Sequence, residues 1–335
     1  MIPVRDTITS STIPVVTYAI MGINTLIYLL QVGMGTDLDP FIYRYGFVPA
    51  KLTVPEISAW FSFSGMIFST ISYMFLHGGL WHFISNMWFL YIFGDNVEEY
   101  LGALRFACFY IICGVASALL HFFLNPLSPI PTIGASGAIA GVMGAYFILY
   151  PKAKILTLIP IIVIPWFVEI PSFIFLGFWF LMQFYNATES GGASGIAWWA
   201  HVGGFIAGIA MVKMWGELPQ PVVEDKLKAL TARKTSPKLQ NIHPKPIENS
   251  LDLAGNIEIT SVEAVAGTLK LVNIPWGFYT RLYNVNIPPG VNNGTQLRLA
   301  GMGRVGSYAV RGDMYLTVAI RNPLSADGFS LRLKD

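Results

Sequence analysis

The stretch Gly134-Ala-Ser136-Gly-Ala-Ile-Ala-Gly141 places one serine among small residues at the start of an apolar run. Small residues four apart, as at Gly137 and Gly141, are typical of helices that pack closely in membranes, where a neighbouring serine is common. A serine in such a place can also act as a nucleophile if a base lies within reach. The stretch alone favours packing, so other parts of the chain have to distinguish the two hypotheses.

The composition is that of a membrane protein with a soluble part. The 335 residues are 54% hydrophobic and only 12% charged, whereas soluble proteins have about 25% charged residues. Residues 1–216 hold 7 of the 21 Lys and Arg residues, and residues 217–335 hold the other 14. We therefore expect a membrane domain over 1–216, a linker over 217–249 and a small soluble domain over 250–335. The net charge of +2, without a basic stripe, indicates no nucleic-acid partner.

Six apolar runs predict six transmembrane helices, since a spanning helix needs about 20 residues. They lie at about residues 14–33, 80–99, 104–124, 136–151, 167–186 and 197–215. The first is interpreted as a retained span rather than a removed signal peptide. Residues 34–78 mix charged and aromatic side chains, which predicts a long loop partly embedded in the membrane interface. Residues 155–166 are expected to form an apolar connection around Pro160 and Pro165.

The distribution of positive charge predicts the orientation in the lipid bilayer. Arg44 and Lys51 lie in the first long loop, on one side of the predicted membrane. The remaining Lys and Arg residues near the ends of the spans fall on the other side: Arg5, Arg105, Lys152, Lys154, Lys213 and a cluster at 226–238. Because cytoplasmic segments carry the excess of positive charge, both termini are expected in the cytoplasm.

Four polar residues share one depth in this arrangement. His82 and Asn86 lie in the first turns of span two, Ser136 opens span four and His201 opens span six. All three spans run inward from the outer face. Polar and ionisable side chains inside a membrane usually face the bundle interior or a water-filled cavity, so these residues are candidates for a functional site.

A serine–histidine pair is the reactive combination that this group offers. Gly204 and Gly208 follow His201 with the same four-residue spacing that follows Ser136. Two glycine-faced helices can approach backbone to backbone, which would bring the hydroxyl within about 3 Å of the imidazole. A histidine that removes the hydroxyl proton makes the minimal activated nucleophile. No acidic third member is evident at this depth.

Donors for a tetrahedral oxyanion are also available. His82 and Asn86 are four residues apart and therefore lie on one helix face. Their side chains can donate hydrogen bonds, as can the backbone N–H of Ser136 at a helix N-terminus. Hydrogen bonding between helices without a catalytic role is the alternative for both side chains. A metal site of His77, His82 and His201 is a further, less favoured alternative, because no His-Glu-x-x-His element is present.

Three motifs resemble those of the rhomboid intramembrane serine proteases. They are Gly134 to Gly141, the segment His77…His82-x-x-x-Asn86 with the following Phe93-Gly-Asp-Asn-Val-Glu98, and Ala200-His201-Val-Gly-Gly-Phe-Ile-Ala-Gly208. The resemblance covers about residues 14–215. It implies that Ser136 is the nucleophile, that His201 is the general base, and that His82 and Asn86 serve the oxyanion.

The same resemblance implies an all-α, multi-pass membrane bundle that cleaves transmembrane protein substrates near the outer membrane face without a cofactor or metal. We expect it in the inner membrane of a prokaryotic cell. Two positions depart from the family pattern: Tyr43-Arg44-Tyr45 stands where many members carry Trp-Arg, and Ala140 stands where some place a tyrosine beneath the histidine. The alternative is a proteolytically silent relative that binds or escorts membrane proteins, although such relatives usually lack the serine or the histidine.

The C-terminal residues predict a small antiparallel β domain. Short runs rich in branched and aromatic residues begin at Gly267, Arg281 and Asp313, and Pro288-Pro-Gly290 and Asn292-Asn-Gly294 are typical turns. Residues 250–323 resemble the C-terminal β-sandwich of J-domain co-chaperones, which implies binding of unfolded polypeptide. The His-Pro-Asp signature of the J domain is missing. A folded appendage that only stabilises or tethers is the alternative.

Overall fold

The computed structural model describes residues 1–8, 10–161, 164–189, 196–216, 227, 230–231, 239–276, 279–306 and 310–320. The chain divides into two compact units, Met1–Arg233 and Lys234–Asp335. Most of the predicted linker before residue 239 lies outside the described residues.

The first unit is built mainly from helices. Those among the described residues are α1 (Val15–Gly33), α2 (Leu38–Tyr45), α3 (Ala50–Thr53), α4 (Pro55–Ser58), α5 (Phe63–Ser72), α6 (Leu80–Leu101), α7 (Ala103–Leu124), α8 (Ser136–Leu149), α9 (Ser172–Glu189) and α10 (Trp198–Gly216). Helices α1 and α6 to α10 occupy the positions of the six predicted spans. In the described part of the chain, α1 and α7 are long and apolar enough by themselves to cross a membrane. Crossing by all six helices stays a prediction.

Helix α8 is the centre of this unit. Its small residues let α6, α7, α9 and α10 pack around it, and every residue from Gly137 to Tyr146 is buried. The turn between α6 and α7 is formed at Gly102, which has a φ of 85°. Because this backbone conformation is rarely adopted by other residues, a glycine at this position lets the chain reverse between two long helices.

A three-stranded antiparallel sheet corrects the prediction of an all-α membrane domain. Strand β1 (Ile2–Asp6) pairs with β2 (Lys154–Ile161), which pairs with β3 (Ile164–Pro171). The predicted apolar connection at 155–166 is therefore the body of a hairpin, and span five begins as a helix at Ser172 rather than at residue 167. A short apolar run cannot be assigned to strand or helix by periodicity alone, which is why the sequence predicted a connection at 155–166 and a helix from residue 167.

The predicted long loop at 34–78 is a chain of short helices, α2 to α5, held by one buried lysine. The ammonium group of Lys51 donates hydrogen bonds to the carbonyl oxygens of Tyr43 and Arg44. It also lies 4.2 Å from the ring centre of Phe61, close enough for a cation–π interaction. The side chain is only 2% exposed. These contacts anchor the segment Tyr43-Arg44-Tyr45, where the sequence departs from the family pattern.

The second unit contains two sheets that share one core. One sheet has the strand order β5 (Lys245–Pro246), β6 (Leu253–Ile259), β10 (Met314–Ile320), β9 (Gln296–Leu299), and the other has the order β4 (Leu239–Asn241), β7 (Thr268–Trp276), β8 (Tyr279–Ile287). A short helix, α11 (Ser261–Ala266), connects β6 to β7. Side chains from both sheets, including Ile257, Val272 and Leu316, form one buried cluster.

Three predicted strands are confirmed at β7, β8 and β10, and Gly290 and Gly294 have the positive φ values expected of turns. The expectation of a purely antiparallel domain was wrong, because β10 pairs with β6 in parallel and β4 pairs with β7 in parallel. Strands β4 and β5 also lie in residues whose composition favoured a linker. Alternation of apolar residues identifies a strand but does not identify its partner or direction.

Candidate active site

Close contact between α8 and α10 determines the geometry of the site. A Cβ atom built on Gly204 would lie 1.9 Å from the carbonyl oxygen of Gly137, and one on Gly208 would lie 1.9 Å from that of Gly141. Real Cβ atoms do not approach backbone oxygens so closely, so the two helices touch backbone to backbone at these glycines. The predicted packing of the two glycine-faced helices is thus confirmed.

The two side chains at the top of this contact are hydrogen-bonded. Ser136 is the first residue of α8, and His201 lies in the first turn of α10. The Nε2 atom of His201 lies 2.8 Å from the Oγ atom of Ser136. A pair at this distance can transfer the hydroxyl proton to the imidazole.

The loop that precedes Ser136 is held by backbone hydrogen bonds to the segment before α6. The N–H of Thr132 donates to the carbonyl oxygen of Phe47 at 2.8 Å, and the N–H of Gly134 donates to that of Tyr73 at 2.9 Å. Gly134 has a φ of 117°, and a Cβ atom there would lie 2.6 Å from the Nε2 atom of His82. Glycine is therefore required both by the backbone conformation and by the imidazole packed against it.

His82 and Asn86 lie one turn apart on α6 and line the same cavity as Ser136 and His201. The N–H of Gly78 donates to Nδ1 of His82 at 3.3 Å. The Nδ2 atom of Asn86 donates to the carbonyl oxygen of His82 at 2.8 Å, within the helix. An amide nitrogen carries two hydrogens, so one remains for an acceptor in the cavity.

The cavity has a volume of about 710 Å³ and is bounded by polar groups and aromatic rings. His121, which the sequence analysis did not include among the site residues, lies in its wall together with Asn125 and Ser128. His77 lies outside the wall, and its backbone is clamped by the side-chain amide of Gln31: the His77 N–H donates to Oε1 at 2.9 Å and its carbonyl accepts from Nε2 at 3.0 Å.

No cluster of three ligand-type side chains suited to a metal ion occurs within the described residues. The metal site of His77, His82 and His201 stays the less favoured alternative. His201 instead contacts Ser136 on one ring nitrogen and a carboxamide on the other.

That carboxamide belongs to Gln183 on α9, which sequence reasoning missed. Its Oε1 atom lies 2.9 Å from Nδ1 of His201, and the residue is 7% exposed. The ring of Trp179, one turn earlier on α9, lies 5.9 Å from the imidazole at an angle of 35°. Trp179 thus places an aromatic ring beside the histidine from α9, whereas on α8 the position where some family members carry a tyrosine is Ala140. A glutamine in the middle of the apolar run of α9 was the available signal.

Comparison with known protein families gives two matches. Residues 64–217 match the Rhomboid domain, and residues 248–332 match the DnaJ C terminal domain. Ser136, His201, His82 and Asn86 all fall within the first match.

Three relatives show the extent of the similarity. Rhomboid protein 1, mitochondrial, of Saccharomyces cerevisiae is 31% identical over 143 residues, which are 42% of this chain and 38% of the relative. Rhomboid protease GluP of Bacillus subtilis is 28% identical over 201 residues, which are 59% of this chain and 35% of the relative. RHOMBOID-like protein 6, mitochondrial, of Arabidopsis thaliana is 37% identical over 75 residues, which are 22% of this chain and 24% of the relative. The chain therefore spans less than two fifths of the length of each.

Proposed function

We propose that this chain, whose residues 64–217 match the Rhomboid domain, is an intramembrane serine endopeptidase that cleaves transmembrane protein substrates. The observation that carries the proposal is the 2.8 Å contact between Ser136 Oγ and His201 Nε2 at the wall of a polar cavity. The relatives with which it aligns include a protein named as a rhomboid protease.

In the proposed reaction, His201 takes the hydroxyl proton as Ser136 Oγ attacks the carbonyl carbon of the scissile peptide bond. The negative charge that develops on the carbonyl oxygen is stabilised by donors from His82, Asn86 and the backbone N–H of Ser136. The imidazolium then gives its proton to the leaving amine, and an acyl ester on Ser136 remains. Water, deprotonated by the same histidine, hydrolyses the ester and restores the serine.

The proposed environment follows the expectations from the sequence. The protein lies in a prokaryotic inner membrane with both termini in the cytoplasm, and the site faces the outer leaflet. The relatives with which the chain aligns also include proteins named as mitochondrial and chloroplastic. A test of orientation is labelling of single cysteines placed in the α2–α5 segment and in the second unit with a reagent that does not cross membranes.

Cleavage of a transmembrane reporter by the full chain in liposomes tests the activity. Ser136→Ala should abolish cleavage, and a serine-reactive fluorophosphonate should label the wild type but not this variant. Unchanged cleavage by Ser136→Ala would refute the proposal. A wild type that neither cleaves nor becomes labelled would support the alternative of a silent binding or escort factor.

For the second unit we propose binding of unfolded polypeptide. It matches the DnaJ C terminal domain, and it exposes apolar side chains on and beside α11: Val262 and Val265 are each 76% exposed, and Leu269 is 62% exposed. Exposed apolar side chains that lie close together are typical of interaction surfaces.

Removal of residues 217–335 should lower the capture of an unfolded reporter in pull-down and slow its turnover. Val262→Asp with Val265→Asp should reproduce the loss of capture without removing the domain. If neither change affects capture or turnover, the second unit has no role in substrate handling.

A further inference from the structure

A chain of hydrogen bonds extends from Ser136 through His201 to α9. The Nε2 atom of His201 contacts Ser136 Oγ at 2.8 Å, and its Nδ1 atom contacts Oε1 of Gln183 at 2.9 Å. Beyond it, the Nε2 atom of Gln183 lies 3.1 Å from the carbonyl oxygen of Trp179. Three helices, α8, α10 and α9, thus contribute to one line of polar contacts.

The last acceptor in this series of hydrogen bonds, the carbonyl oxygen of Trp179, determines the direction of each bond. A carbonyl oxygen only accepts, so the atom of Gln183 that faces Trp179 has to be the amide nitrogen, and the amide oxygen faces His201. An amide oxygen only accepts as well. Nδ1 of His201 therefore carries the hydrogen, and Nε2 presents a lone pair to the hydroxyl of Ser136.

This is the tautomer that a general base needs. In a neutral imidazole only one ring nitrogen can accept a proton, and the hydrogen bond on the other nitrogen selects which one it is. With the opposite tautomer, Nε2–H would point at Ser136 and could not deprotonate it. In serine hydrolases an acidic residue commonly performs this selection. No such residue contacts His201 among the described hydrogen bonds.

We propose that Gln183 is the positioning residue of the Ser136–His201 pair: it holds His201 in the Nδ1–H tautomer and at the required ring angle. The inference rests on the proposed function. A carboxamide performs both tasks without a charge, which suits the buried position of Gln183, a residue that is 7% exposed. A buried carboxylate would require desolvation of a full charge.

The test compares three α9 variants of the full chain in liposomes. Gln183→Met keeps approximately the same shape but cannot accept from Nδ1–H. Gln183→Glu restores an acceptor oxygen at the same place. Thr188→Val is the matched control, because among the described residues the hydroxyl of Thr188 donates to the carbonyl oxygen of Tyr185, within α9, and its side chain is exposed.

Gln183→Met should lower kcat by about 10²-fold, the scale of a general-base contribution, with KM unchanged, and should slow fluorophosphonate labelling in proportion. Gln183→Glu should recover most of the rate. The acidic limb of its pH profile should move to higher pH, because a carboxylate beside Nδ1 favours the protonated imidazole. Thr188→Val should behave as the wild type.

Gln183→Met with a kcat within twofold of wild type would overturn the inference, and so would a Gln183→Glu profile identical to that of the wild type. An increase in KM with kcat unchanged would indicate a role in substrate binding instead and would also overturn it. If Gln183→Met fails to fold, the cleavage rate and the pH profile of Gln183→Glu still test the inference. These outcomes differ from failure of the proposed function, in which the wild type itself would neither cleave nor become labelled.

Discussion

The contact between Gly204 and Gly137 makes a sharp prediction about the distance on which the proposed chemistry depends. Alanine at position 204 would place its Cβ atom 1.9 Å from the Gly137 carbonyl oxygen. A carbon–oxygen contact needs about 3.3 Å, so the helices would have to separate locally by about 1.4 Å. The proposed catalytic pair lies next to this contact, because Ser136 precedes Gly137 and His201 lies less than one turn before Gly204.

Such a separation should break the hydrogen bond between Ser136 and His201, which is 2.8 Å long. Misplacement of reacting groups by about 1 Å can lower a rate about 10²-fold, so we expect a loss of this size in cleavage by Gly204→Ala. Overpacking of a tight contact also lowers stability, by about 1–3 kcal/mol. Cleavage of a transmembrane reporter in liposomes gives the rate, and thermal unfolding gives the stability.

Two other glycines separate the local effect from a general one. Gly208→Ala creates the same 1.9 Å contact, with the carbonyl oxygen of Gly141, but about one turn farther from the histidine. It should lower stability to a similar extent and the cleavage rate much less. A Cβ atom on Gly22 meets nothing within 4 Å, so Gly22→Ala should lower neither the stability nor the cleavage rate. Cleavage by Gly204→Ala within threefold of wild type would refute the reasoning, and equal losses for Gly204→Ala and Gly208→Ala would attribute the effect to packing alone.

Three further predictions concern stability. Burial raises the pKa of Asp6 to about 6, against hydrogen bonding from Tyr146, which lowers it. The stability that the protonated carboxyl contributes is therefore present below pH 3.8 and is lost as the pH rises through about 6. The melting temperature of wild type should fall relative to that of Asp6→Asn between pH 4 and 7, and a difference that is constant with pH would contradict this. Lys51→Met leaves the carbonyl oxygens of Tyr43 and Arg44 without their donor and should cost about 1–3 kcal/mol in thermal unfolding, whereas the exposed Lys213→Met should cost nothing measurable. Thr260 caps α11 in a reciprocal capping box with Glu263, so Thr260→Ala should lower the protection of the α11 amides from hydrogen exchange by about 1 kcal/mol; unchanged protection would show that the cap is dispensable.

Local patterns were sufficient to predict the long helices and the strands β7, β8 and β10. The apolar runs at 80–99 and 104–124 became α6 and α7 because their length and composition leave few other structures open to them. The pairing of β2 with β1 was missed because β1 lies about 150 residues earlier in the chain. Strand pairing is a contact between distant segments, and neither segment alone carries the information.

The candidate site likewise contains residues that the sequence identified and contacts that it did not. Ser136, His201, His82 and Asn86 could be named from the sequence, because a polar group in an apolar run is conspicuous and the small residues around it indicate which helices can approach. The sequence alone thus indicated that residues 1–216 form a membrane domain, where its helices lie and which two helices have a glycine face. Only the tertiary structure decided that Gln183 meets the second nitrogen of His201, that Trp179 lies beside its ring, and that His121 lines the cavity. Each of these contacts depends on the rotation of one helix about its axis against another, which packing of the whole bundle fixes and no single segment encodes.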